Sequence, residues 1–128
     1  HEELQETMSG LAGIFRVESD LQEAIARIEG YKERWHGLRV TGPRRFNPAW
    51  DLVFELRSML TVSEAIARSA LEREESRGAH SRLDFVGMRD EWDTVNVTTH
   101  RDGNVMKVER KPEVELPSEL AEHVTAKA

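Results

Sequence analysis

The sequence predicts a mainly α fold: a three-helix antiparallel bundle with a long third helix, followed by a small β-hairpin and a C-terminal tail. Three observations carry this. Apolar residues recur at three-and-four spacing through three successive stretches ahead of Gly78. The first two stretches are joined by almost no connector, which favours an antiparallel pair of helices. Beyond Gly78 the pattern turns to alternation on either side of Asp102-Gly103, a strong hairpin signal.

The first helix is expected from Glu2 to about Arg16, with Leu4, Met8, Leu11, Ala12 and Phe15 on one face. Its early acids, Glu2, Glu3 and Glu6, suit the positive end of the helix dipole. In the second helix, Ser19 is the expected N-cap and Gln22 completes a capping box. Leu21, Ala24, Ile25, Ile28, Tyr31 and Trp35 make its face, and Gly37 ends it.

A loop over 37–46 is marked by Gly42-Pro43 and the basic pair Arg44 and Arg45. Asn47 then caps the third helix, with Pro48 at its first helical position. Its expected face runs Leu52, Val53, Leu56, Met59, Leu60, Ile66, Ala67, Ala70 and Leu71, and Gly78 is the expected stop. Glu64 with Arg68, and Arg68 with Glu72, have the spacing of outward surface pairs. At 1.5 Å per residue this helix would run roughly 45 Å, against about 22–26 Å for each of the others. Its far half needs cover, either from the hairpin or from another domain.

Thr94 to His100 and Val105 to Arg110 read as strands, and Ser118 to His123 carry a weak helical pattern. The division is therefore a bundle over 1–78, of the spectrin-repeat kind, with loop, hairpin and tail over 79–128 packed on the same single domain. The chain opens at His1, already inside a helical pattern, which suggests a piece of a longer protein.

Composition narrows the function. There are no cysteines, which excludes disulfides, thiolate metal sites and a cysteine nucleophile. A net charge of −6 argues against nucleic acid as a partner. No apolar run is long enough to insert in a bilayer. The histidines His1, His36, His80, His100 and His123 lack metal-ligand spacing. Trp35 and Trp50 suit the ends of the bundle. Arg39, Arg44 and Arg45, with Lys32 and Arg34 just upstream, form the basic cluster, either a solvated loop or a surface for an acidic partner.

The segment leaving the third helix reads Glu75-Ser76-Arg77-Gly78-Ala79-His80-Ser81-Arg82-Leu83-Asp84-Phe85, followed by Arg89-Asp90-Glu91-Trp92. It resembles the signature of the C-terminal domain of succinate dehydrogenase and fumarate reductase flavoproteins. The run Met8 to Arg16 is similar to that family's first helix, and Asn47-Pro48-Ala49-Trp50 through Leu60 to the start of its long helix. The likeness spans roughly residues 4 to 92 in the right order and departs at Val86-Gly87, where many members have Pro.

The resemblance implies a helical module without an active site, catalytic residue, cofactor or metal of its own. FAD and the dicarboxylate would lie in other domains of the parent, which exchanges hydride between flavin and succinate or fumarate and passes electrons to iron–sulfur clusters. The implied partners are the FAD-binding domain of the same protein and the iron–sulfur subunit. The implied location is cytoplasmic, or peripheral on the cytoplasmic face of the membrane. The alternatives are the equivalent domain of L-aspartate oxidase and a free-standing helical module without redox function. On an extended segment His80, Arg82 and Asp84 share one face, opposite Leu83 and Phe85. That row either pairs internally to fix the chain reversal or, with Glu75 and Arg77, contacts another domain or subunit.

Overall fold

The computed structural model describes residues 1–117 and 120 of the chain. The weak helical pattern of the tail lies outside the described residues except at Leu120. The chain folds into three helices and a small antiparallel hairpin. Helix α1 spans Glu2–Leu11, α2 Glu18–His36 and α3 Pro48–Glu72. A two-residue strand β1, Phe15–Arg16, pairs in parallel with β2, Ser81–Arg82. A 3-10 turn, Asp90–Trp92, leads into β3, Val95–Asp102, and β4, Val105–Pro112, which pair antiparallel.

Helix α2 is the centre of the core. Its Ala24, Ile25 and Ile28 are buried with Leu4 of α1 and with Leu60 and Ala67 of α3. Leu21 forms a second cluster with Ala12 and Ala70. The Thr7 hydroxyl is buried and hydrogen-bonded to Tyr31 Oη at 3.0 Å. Trp35 Nε1 donates to the Val53 carbonyl at 2.9 Å, tying α2 to α3 near one end. The expected face of α2 is thus the packed one throughout.

Several boundaries differ from expectation. Helix α1 stops at Leu11, and the chain turns through Gly13 into β1, which leaves Phe15 67% exposed. Helix α2 begins at Glu18 behind Val17, so Ser19 lies inside it and caps nothing. Asn47 does cap α3, accepting from the Ala49 N–H at 3.1 Å, with Pro48 first in the helix. However, α3 ends at Glu72 rather than near Gly78, giving about 38 Å for its 25 residues. Gly78 instead occupies the turn between Arg77 and His80 with φ 59°.

The packed face of α3 is also more polar than the periodicity predicts. Ser63 and Glu64 are buried, while Leu52 and Ile66 face outward. Glu64 is not an outward pair with Arg68 alone. It is a buried carboxylate held by Lys32 from α2 and by Arg68 at 2.9 Å. Arg68 reaches Glu29 rather than Glu72, at 2.5 Å. Burial alone would raise the Glu64 pKa, but the donors from Lys32 and Arg68 outweigh it and hold the pKa below the usual range.

The hairpin folds back against the end of α3. Arg110 of β4 donates to Glu72 at 2.6 Å, and Arg73 donates to the Val95 carbonyl at 3.4 Å. Between them Trp92 is buried, with the Arg73 and Arg110 guanidinium carbons 5.5 and 4.4 Å from its ring centre. The two-residue hairpin loop is Gly103-Asn104, one position later than the Asp-Gly signal, since Asp102 pairs with Val105.

Candidate functional site: a polar knot at the end of the long helix

All five residues singled out from the sequence meet in one place. Arg82 is 1% exposed and Asp84 lies two residues further along the same extended segment, so both side chains point the same way. Their pair is bidentate, Nε to Oδ1 at 2.7 Å and Nη2 to Oδ2 at 2.8 Å. Each then reaches a helix end.

Helix α3 has no basic residue in its last turn. Arg82 Nη1 supplies that charge, donating to the carbonyls of Ala70 at 2.9 Å and Leu71 at 3.1 Å. Helix α2 has no side-chain cap from Val17. Asp84 Oδ2 accepts from the Glu18 N–H at 2.8 Å and serves as its cap across 66 positions of sequence. The Arg82 donors and this backbone N–H hold the Asp84 pKa down at about 2, against the opposing effect of partial burial.

Glu75 is fully buried. Burial alone would raise its pKa. Donors from Arg77 at 2.9 and 3.1 Å and from the Arg89 N–H at 3.1 Å prevail and hold it below the usual range. Arg77 also pairs with Asp93, and these two carboxylates raise its pKa. Ser76 closes the loop by donating toward the Arg82 and Phe85 carbonyls, at 3.0 and 2.9 Å, while accepting from the Arg82 N–H at 2.8 Å.

His80 sits between two groups that fix its protonation. The Arg73 carbonyl, 3.0 Å from Nε2, can only accept. The Arg16 guanidinium, 2.8 Å from Nδ1, can only donate. The ring is therefore neutral with its proton on Nε2. Burial lowers its pKa first, and Arg16, Arg82 and Arg73 lower it further, against the single hydrogen bond to Arg73.

Residues that sequence reasoning did not assign to the site complete it: Arg16, Ser76, Arg89 and Asp93. Three of these fall within stretches that carry the family likeness, so a signal was present, but no local rule pointed to their partners. In this chain Arg82 is buried and its polar atoms are bonded internally. Alongside the knot lies an apolar flank in which Ile14, Phe15, Leu83, Val86 and Met88 are exposed.

The arrangement can position and clamp. No strand leads through a glycine-rich turn into a helix among the described residues, so what is present does not fit a dinucleotide such as FAD. No cluster of three potential metal ligands occurs among the described residues. No described helix is long and apolar enough to cross a membrane.

Comparison with known proteins agrees with the motif reading. Residues 1–125 match the family described as fumarate reductase flavoprotein C-term. The chain is 37% identical over 103 residues to a fumarate reductase flavoprotein subunit of Mycobacterium tuberculosis, covering 80% of this chain and 18% of that protein. It is 39% identical over 100 residues to the corresponding subunit of Haemophilus influenzae, covering 77% and 16%. Among solved structures, the Sdh1 complex of Mycobacterium smegmatis in the apo form superposes with a TM-score of 0.80 at 39% identity, over 91% of this chain and 20% of that one. The chain thus spans less than a fifth of the length of these curated relatives.

Proposed function

The chain belongs to the C-terminal domain family of fumarate reductase and succinate dehydrogenase flavoproteins, and from this premise we propose that it is the non-catalytic helical end of an FAD-dependent oxidoreductase. The parent interconverts succinate and fumarate and passes electrons to an iron–sulfur subunit. The observation that carries this reading is the match over residues 1–125. In this reading the parent works in the cytoplasm, or peripherally on the cytoplasmic face of the membrane. Residues 1–78 and 79–128 act as one domain, with the three helices as a spectrin-repeat-like antiparallel bundle. The shared burial of Leu4, Ile28 and Leu60 supports that arrangement.

In this reading the knot is a brace for an interdomain face. Glu75 and Arg82 hold it from inside, while Arg77, His80 and Asp84 lie at its partly open edge. Beside them, Phe15 and Leu83 are large apolar side chains open to solvent, and the FAD-binding domain of the same protein would cover them.

The test is made on the full-length parent, co-expressed with its iron–sulfur subunit. Succinate, and not L-aspartate, should reduce an artificial electron acceptor. Turnover of L-aspartate instead would move the chain to the oxidase. Phe15→Glu with Leu83→Glu should lower bound flavin or subunit assembly while the separate 128-residue chain melts normally. Unchanged flavin content and assembly would remove the apolar flank from the interface.

A further inference from the structure

The fold divides the basic cluster of the sequence into two groups. Lys32 is taken up by buried Glu64, and Arg34 pairs with Glu3 at 2.6 Å. Arg39, Arg44 and Arg45 are exposed and have no carboxylate within ion-pair distance among the described residues. Residues 37–50 hold these three arginines and no acidic residue, in a chain of net charge −6.

The loop is built rather than slack. Asn47 Nδ2 donates to the Thr41 carbonyl at 2.9 Å while its Oδ1 caps α3, so one side chain pins both ends of the turn. The Arg44 guanidinium carbon lies 5.7 Å from the Trp50 ring centre, and that of Arg45 lies 5.5 Å from the Phe46 ring centre. The cations are thus held on aromatic faces and left unneutralised. Phe46 is 92% exposed at φ 57°, the sole non-glycine residue with positive φ among those described. An aromatic residue rarely takes that conformation, and here it presents an apolar ring to solvent between two arginines and a helix start.

We propose that this loop is a docking surface for a carboxylate-rich segment of a protein partner, with Arg44 and Arg45 gripping carboxylates and Phe46 packing against an apolar side chain of that segment. Guanidinium groups match carboxylates in bidentate geometry, and arginine with aromatic residues is the composition of interface anchors. Nucleic acid would need a wider basic footprint than three residues, and Asp51 and Glu55 follow at once on α3. An anionic membrane would need more basic residues than this loop holds, and one ring gives little insertion. The loop sits at the start of α3 and the knot past its end, about 38 Å apart along 25 residues. The surface is therefore separate from the knot and stands whether or not the knot meets another domain.

The experiment uses the intact flavoprotein and a fluorescein-labelled peptide of alternating Glu and Tyr, followed by anisotropy. Saturable binding is expected, weakened about tenfold or more by Arg44→Glu with Arg45→Glu and by raised salt. Arg101→Glu on the hairpin should leave it unchanged. Arg44→Lys with Arg45→Lys keeps the charge, leaves folding undisturbed and should still weaken binding about threefold, because the bidentate geometry is lost. Absence of saturable binding, full-strength binding by the lysine variant, or tighter binding to phosphatidylglycerol vesicles or a DNA duplex than to the peptide would overturn the proposal.

Discussion

Two buried regions hold this molecule together by opposite means. Around α2, apart from the Glu64–Lys32 pair and the Thr7–Tyr31 and Trp35–Val53 hydrogen bonds, the contacts are apolar and their spacing repeats with the helix, so Leu21, Ala24, Ile28, Leu60 and Ala67 exclude water without any fixed partner geometry. Past the end of α3 the buried groups are Glu75 and Arg82, and burial of a charge costs several kcal/mol unless each donor and acceptor is met. There they are met: Arg82 by Asp84 and two helix carbonyls, Glu75 by Arg77 and a backbone N–H. The apolar region tolerates approximate fit. The polar one is close to all-or-none, because removing one member strands the rest.

The largest expected effect breaks the knot. Arg82→Met leaves Asp84 without its ion-pair partner and the Ala70 and Leu71 carbonyls without their donor, a loss of about 4 kcal/mol in urea unfolding of the 128-residue chain. Adding Asp84→Leu should recover part of it, since the stranded carboxylate is gone. A single-variant loss below about 1 kcal/mol would mean that water replaces the arginine and that the two regions do not differ as argued. In the apolar core, Leu60→Ala should cost about 3 kcal/mol by transfer and cavity formation, with no rescue by a second truncation.

The same contrast explains what was legible in the sequence. The packed face of α2, the Asn47 cap, the Gly37 stop and the two strands follow from period and local turn chemistry, all within a few residues. Boundaries failed where a distant residue decided them. Helix α2 starts at Glu18 because Asp84 caps it, and no rule of local spacing connects positions 18 and 84. Helix α3 stops at Glu72 because Arg82 takes its last carbonyls, although Arg73 to Arg77 could continue a helix by propensity. Glu64 looked like a surface residue because its partner Lys32 lies on another helix. The five site residues could be singled out as a motif, but the burial of Glu75 and Arg82 could not, since motif and partner geometry are different kinds of information.

A smaller effect isolates the turn that carries the knot. Gly78 has φ 59°, and a Cβ placed there would meet nothing within 4 Å. Gly78→Val should therefore cost about 1–2 kcal/mol from backbone conformation alone, and Gly78→Asn, which accepts the left-handed region better, distinctly less. Equal costs would indicate that side-chain bulk rather than φ is the constraint.

The smallest effect is a pH dependence, and its pH window, not its sign, separates the knot's histidine from its carboxylates. His80 has a lowered folded-state pKa because it is partly buried and faces Arg16, Arg82 and Arg73. The unfolded chain then takes up the proton more readily, so stability is full above the unfolded value of about 6.5 and falls as pH drops below it. Protonation would also turn the Nδ1 acceptor into a donor facing the Arg16 guanidinium, loosening the pairing of β1 with β2. The carboxylates act in a lower window. Asp84, at about 2, contributes stability above its unfolded value of 3.8 that is lost as pH falls toward 2. The shift corresponds to about 2 kcal/mol at full weight, and to about 1 after discounting for solvent around a side chain that is partly exposed. Unfolding free energies from pH 7.5 to 5 should thus decline for the natural chain. They should be flatter for His80→Gln, which can keep a donor toward Arg73 and an acceptor toward Arg16 without titrating. A decline of equal slope in His80→Gln would assign the effect to other groups and leave His80 a neutral spacer at every pH.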